Sequence, residues 1–125
     1  MITQVFAIRG ATTVDNVKER IYARVQELII KIVRENGLEN KGVEITSIIC
    51  SSTTDVTAAY PAAAVRDAGF SHVPLFSCAE PQIDGSLPYC VRLLVNVSSS
   101  AKAVMQAKHI YLHGAVILRP DLMRT

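Results

Sequence analysis

The chain has 125 residues, a length that supports one hydrophobic core and is short for two, so a single domain spanning 1–125 is expected. Half of the residues are hydrophobic and 19% are charged, which leaves an apolar surplus that association with further copies would bury. The net charge of +2 comes from 13 basic and 11 acidic residues with no basic block and no Trp, and no segment holds the roughly 18 apolar residues of a membrane span; neither nucleic acid nor membrane is an expected partner.

Residues 2 to 9 alternate as a strand does, with Ile2, Gln4, Phe6 and Ile8 on one side and Val5, Ala7 and Arg9 on the other, and Gly10 is expected to end it. From about Asp15 the period lengthens. Val17, Ile21, Val25, Leu28, Ile29, Ile32 and Val33 recur at steps of three and four, predicting an amphipathic helix that stops at Asn36-Gly37. A polar link leads to a second strand, VEITSIICS, and Pro61 opens a short helix, PAAAVRDA, closed by Gly69. A strand is predicted near HVPLFS, then a Pro- and Gly-rich loop, AEPQIDGSLP, and a long strand, YCVRLLVNV. Past it come a helical turn or two through AKAVMQAKH, the segment IYLHG, a last strand AVIL and the tail RPDLMRT. This order predicts an α/β (α+β) fold with a mixed sheet.

Arg9, Arg66, Arg92 and Arg119 each stand beside an apolar run, VFAI, PAAAV, YCV or AVIL. Because arginine keeps its proton, a guanidinium buried there requires a partner anion, and burial or half-burial of these four is the expectation. On strand 89–97, Arg92 shares a face with Cys90, Leu94 and Asn96 while Val91, Leu93 and Val95 take the core face. Arg9 leaves its strand beside a glycine, and Glu80 sits in the loop between Ala79 and Pro81. Two readings stand at this point: convergence of Arg9, Arg92 and Glu80 on a ligand site, or internal salt bridges from Arg9 or Arg92 to Glu44, Asp55, Asp84 or Asp121. Tyr111 is by default a tyrosine at the edge of the core, and His109 and His113 are surface or interface residues.

No serine lies in a G-x-S-x-G elbow, no Cys-His-acid series is present, and IRGATTV has too few glycines for a dinucleotide fingerprint. Cys50, Cys78 and Cys90 lack metal-ligand spacing and read as reduced core thiols of a cytosolic protein; no metal site is expected. A cavity with fixed cations and no acid-base pair suits electrostatic catalysis or anion binding.

The segments IRGATTV, YPAAAVRDAG, VPLFSCAE, LPYCVR and HIYLHGAVILRPDL together resemble, from about residue 5 to 122, the monofunctional homotrimeric chorismate mutases. The resemblance implies conversion of chorismate to prephenate by an intramolecular Claisen rearrangement on the route to phenylalanine and tyrosine, with no cofactor and no metal, in the cytoplasm. It implies a mixed sheet with helices on one side, three copies forming a pseudo-α/β-barrel, and an active site in each cleft between neighbours.

By position, Arg9 and Tyr111 match residues that grip substrate carboxylate, Glu80 the acceptor for the ring hydroxyl, and Arg92 the cation at the ether oxygen. Leu75, Phe76, Ser77, Cys78 and Ala79 match the stretch lining the cleft, with Ser77 closest to the ring. Tyr60, Ala62 and Arg66 match the wall given by the adjacent subunit, and Leu118 and Arg119 the segment that closes over the entrance. Ser77, Phe76, Tyr60 and Ala63 depart from the family pattern: Ser77 stands where a cysteine can occur, Phe76 replaces a smaller polar residue, Tyr60 a phenylalanine and Ala63 a lysine near the mouth. The rival reading from another class is a trimeric small-anion binding or regulatory protein of the same fold that does not turn over its ligand.

Overall fold

The structure, a computed structural model, describes residues 4–102 and 105–119. Its elements are β1 (Gln4–Thr13), α1 (Lys18–Glu35), β2 (Val43–Ser52), α2 (Pro61–Val65) running into a π-type turn (Arg66–Phe70), β3 (Leu75–Ala79), β4 (Cys90–Ser99), β5 (Ile110–Tyr111) and a 3-10 helix (His113–Leu118). The sheet order is β3-β2-β4-β1-β5, with β2/β3 and β1/β5 parallel and the other pairs antiparallel, so it is mixed as expected.

The apolar stripe of α1 sets the main core: Ile21, Val25, Leu28, Ile29 and Ile32 are fully buried against Ile8, Ile48, Val91, Val95 and Val97 from the sheet. The alternation in β4 therefore assigns its faces correctly, Val91, Leu93, Val95 and Val97 inward and Arg92 outward. A smaller cluster of Ala11, Cys90, Tyr111 and Ala115 covers the end of the opposite face. The rest of that face is open, with Val5 79% and Phe76 68% exposed.

Four expectations are corrected. Gly10 does not end β1, which continues to Thr13. A Cβ there would lie 2.6 Å from Ile32 Cδ1 and 3.2 Å from Leu28 Cδ1, so glycine serves the close approach of α1 to the strand. Residues 105–109 of AKAVMQAKH are not helical (103 and 104 lie outside the described residues). Side chains tie this backbone down instead: Gln4 Oε1 accepts from Met105 N at 2.8 Å, and Asn36 exchanges two bonds with Lys108, receiving its N–H at 2.7 Å and donating to its carbonyl at 3.0 Å. AVIL is part of the 3-10 helix and not a strand, because Gly114 N–H turns to Thr13 Oγ1 at 3.0 Å and not to a strand partner. Finally, Cys50 and Cys90 are buried but Cys78, on edge strand β3, is exposed.

Where the chain reverses after α2, Gly69 has φ +111° with no atom within 4 Å of a would-be Cβ. Backbone conformation, not space, selects glycine there.

Candidate active site

Strand register brings distant residues into one row. Tyr111 of β5 is paired with Ala11 of β1, Ala11 with Arg92 of β4, Arg92 with Ser51 of β2, and Ser51 with Cys78 of β3. Paired residues point to the same side of a sheet, so this row lies across the face turned away from α1. The neighbouring row runs Arg9, Leu94, Ile49, Phe76. A cavity of about 190 Å³ forms over both, and Arg9, Ala11, Ser51, Arg92 and Tyr111 line it.

Glu80 closes the group from one edge. Its N–H donates to Ser52 O at 2.8 Å, continuing the β2/β3 ladder by one residue. Its Oε1 lies 3.0 Å from Arg92 Nε and accepts Ser51 Oγ–H at 2.6 Å. Both contacts fall on one oxygen, so Oε2 remains to accept from a ligand. The bond from Arg92 uses Nε, so Glu80 does not consume the amino groups at the tip of the guanidinium. With Arg92 46% and Glu80 19% exposed, solvent screens this pair and its contribution to stability is small. What it does is orient the guanidinium.

The arginines are less buried than expected. Arg9 and Arg66 are exposed and Arg119 is half-buried. No ion pair joins Arg9 or Arg92 to Glu44, Asp55 or Asp84; Asp55 is occupied otherwise, with its carboxylate accepting Tyr89 N–H at 3.1 and 3.0 Å. That contact holds Tyr89 at φ +49°, just before β4 starts. Asp121 lies outside the described residues. Burial pushes the Cys90 thiol up, partly opposed by Arg92.

The remaining residues are not all in one place. Ser77, Cys78 and Ala79 line a second, larger cleft of about 570 Å³ together with Tyr60, Cys50 and Thr53. Ser77 is paired with Cys50 on the face turned toward the helices, so the chain does not bring it to Arg9, Arg92 and Tyr111. Leu75 is half-buried against the main core. Ala62 is half-buried in α2, Arg66 opens the π-type turn, and neither lines either cavity. Leu118 packs beside Ala11 and Tyr111 in the smaller cluster, which places the end of the 3-10 helix near the first cavity.

Reading the sequence alone misses Ser51. No motif marks it; only its register opposite Arg92 and its bond to Glu80 reveal it. His109 is also more than a surface residue, since its Nδ1 accepts Arg9 N–H at 2.9 Å.

Comparison with known proteins identifies the family. The model of the family described as Chorismate mutase type I matches residues 5–122. The chain is similar to Chorismate mutase AroH of Thermus thermophilus, 40% identical over 118 residues that span 92% of this chain and 93% of the relative. It is likewise similar to Chorismate mutase AroH of Bacillus subtilis (strain 168), 37% identical over 120 residues, spanning 94% and 92%. Among solved structures, a chorismate mutase from Clostridium thermocellum matches with a TM-score of 0.78 and 38% identity, over 90% of this chain and 98% of that one.

Proposed function

The chain belongs to the chorismate mutase type I family and isomerises chorismate to prephenate in aromatic amino acid biosynthesis, and we propose that it does so in the cavity between Arg92 and Arg9. In this rearrangement the ether C–O bond breaks while a C–C bond forms within the same molecule. No proton moves and no group leaves. Electron density shifts onto the ether oxygen as the bond lengthens, so a cation fixed beside that oxygen stabilises the transition state more than the ground state.

Arg92 supplies that cation. The support for the role is its orientation: Nε is bound to Glu80, which is itself held by Ser51. Glu80 receives the ring hydroxyl on Oε2. Arg9 and Tyr111, on the same cavity, bind carboxylate, and the shape of the pocket as a whole selects the compact conformer in which the two reacting carbons approach, an orientation effect. Phe76 and Cys78, whose strand partners Ile49 and Ser51 line the cavity, extend its wall along β3, whereas Leu75, Ser77 and Ala79 alternate to the other face.

The site requires a second copy of the chain. A cavity of about 190 Å³ is smaller than the roughly 300 Å³ lower end for ligand pockets. Tyr60, Ala62 and Arg66 lie away from it, and the face around it exposes Val5 and Phe76. A homotrimer in which each neighbour presents residues 60–66 to this face supplies the missing wall and covers the apolar surface. Leu118 and Arg119 then stand at the rim. None of the described helices is long and apolar enough to cross a membrane. A cytoplasmic location is supported by the three cysteines, which form no disulfide.

The deciding experiment follows the loss of chorismate absorbance with stoichiometric appearance of prephenate, in the parent protein and in Arg92→Ala. Turnover that survives the substitution would refute the role given to Arg92.

A further inference from the structure

We propose that His109 is a positioning residue for substrate binding: its unprotonated Nδ1 holds the backbone N–H of Arg9, so that acid loosens the Arg9 anchor and weakens binding without slowing the chemical step. The inference rests on the reading of Arg9 as a carboxylate anchor.

The geometry begins with a short strand. Parallel pairing of β1 with β5 covers Gly10 and Ala11 against Ile110 and Tyr111 and goes no further. At Arg9, one residue before that pairing, the imidazole takes the place of a backbone carbonyl: His109 Nδ1 accepts Arg9 N–H at 2.9 Å. The ring is well placed for this because its neighbour Lys108 is clamped through both backbone groups by Asn36, at the end of α1. Acceptance at Nδ1 requires the ring proton to be on Nε2 and is lost when both nitrogens are protonated.

Protonation would set a donor against a donor at the residue whose side chain lines the active cavity. It would also place a positive ring near two guanidinium groups, Arg9 on β1 and Arg119 at the end of the 3-10 helix. Asn36, from the α1 side, contributes a neutral amide to Lys108. Burial first, then Arg9 and Arg119, keep the imidazole below the usual histidine range. The neutral acceptor is therefore the native form at neutral pH. Because Arg9 contacts substrate carboxylate equally before and during bond rearrangement, its displacement changes KM and leaves kcat.

The test is steady-state kinetics on the full chain at about pH 7.5 and about pH 5.0, where substrate carboxyl groups stay ionised. The parent KM is expected to rise at least about threefold in acid with kcat within about twofold, the scale set by one hydrogen bond. His109→Leu is expected to raise KM about fivefold at pH 7.5. His109→Asn, whose Oδ1 takes up the position of Nδ1 and does not titrate, should restore binding and remove the acid rise. A His109→Asn variant that keeps the parent's acid rise would overturn the proposal, as would a folded His109→Leu variant with unchanged KM. If His109→Leu does not fold, the His109→Asn profile decides alone, together with the Arg9 amide proton resonance, which should move with pH in the parent and stay fixed in His109→Asn. Arg9→Ala separates the two levels: unchanged KM there refutes the anchor itself, whereas raised KM in Arg9→Ala beside unchanged KM in His109→Leu refutes only the part given to His109.

Discussion

Arg92 Nε and Glu80 Oε1 are 3.0 Å apart although the two residues belong to different segments, Arg92 to the centre of the sheet and Glu80 to the residue just beyond its edge strand. Ser51, on the strand between them, binds the same oxygen. The guanidinium is thus aimed by a relay of two side chains, and the first expectations concern what happens when a link is changed.

Replacing Arg92 by Ala should lower kcat at least about 10²-fold, by analogy with removal of one donor to a developing oxyanion. Arg92→Lys should recover little of this, because the donors of an ammonium sit on one nitrogen and cannot span Glu80 and the cavity as the fixed fork of the guanidinium does. Initial rates of chorismate loss measure both.

Ser51→Ala removes one of the two donors on Glu80 Oε1. A net cost of about 1 kcal/mol, or about fivefold in kcat/KM, is expected, with thermal stability nearly unchanged. Ser51→Thr should retain most activity, and equal losses in both variants would count against the relay.

Subunit mixing tests whether the site is shared between copies. Arg92→Ala and Arg66→Ala should each be weak alone. After unfolding and refolding together at equal concentrations, random trimers should regain about a quarter of parental activity, since each site then draws Arg92 from one chain and Arg66 from another. An Arg66→Ala variant with parental activity would place Arg66 outside the site, and absence of any recovery, with trimers confirmed by sedimentation, would place it in the same chain's site as Arg92.

Stability at high pH should report Cys50. Burial, with a smaller effect of Cys78, pushes its thiol from 9.0 up to about 11. A folded pKa above the unfolded one means that the contribution is complete below pH 9.0 and is lost as pH rises toward about 11. The urea midpoint should fall over that interval, and Cys50→Val should flatten the decline. Between about pH 6 and 9 kcat itself should vary little, because no proton is transferred in the chemical step; a bell-shaped kcat profile there would reveal a general base.

The sheet and long helix were legible because burial leaves a period in the sequence: the stripe from Ile21 to Val33 and the alternation of Val91, Leu93 and Val95 give α1 and β4 to within about three residues. Arg9, Arg92 and Tyr111 line one cavity, and Glu80 is bound to Arg92. What could not be read depends on contacts between segments. Gly10 looks like a stop until the nearness of Ile32 shows a packing role. Ser51 is hidden because a bulge at Thr46 shifts the alternation of β2, so simple counting from Val43 does not give the faces. The stretch 105–109 has helical composition, but Gln4 and Asn36 bind backbone N–H groups of Met105 and Lys108, and it forms no helix.

The row from Tyr111 through Ala11, Arg92 and Ser51 to Cys78 draws one residue from each of the five strands. No contiguous fragment of the chain therefore contains a working fraction of the site, and a register slip of a single residue in β4 would turn Arg92 into the core. Catalysis is thereby tied to completion of the last strand pairing. Enzyme activity should follow the slowest phase of refolding, making turnover of chorismate a direct optical readout of when this sheet is assembled.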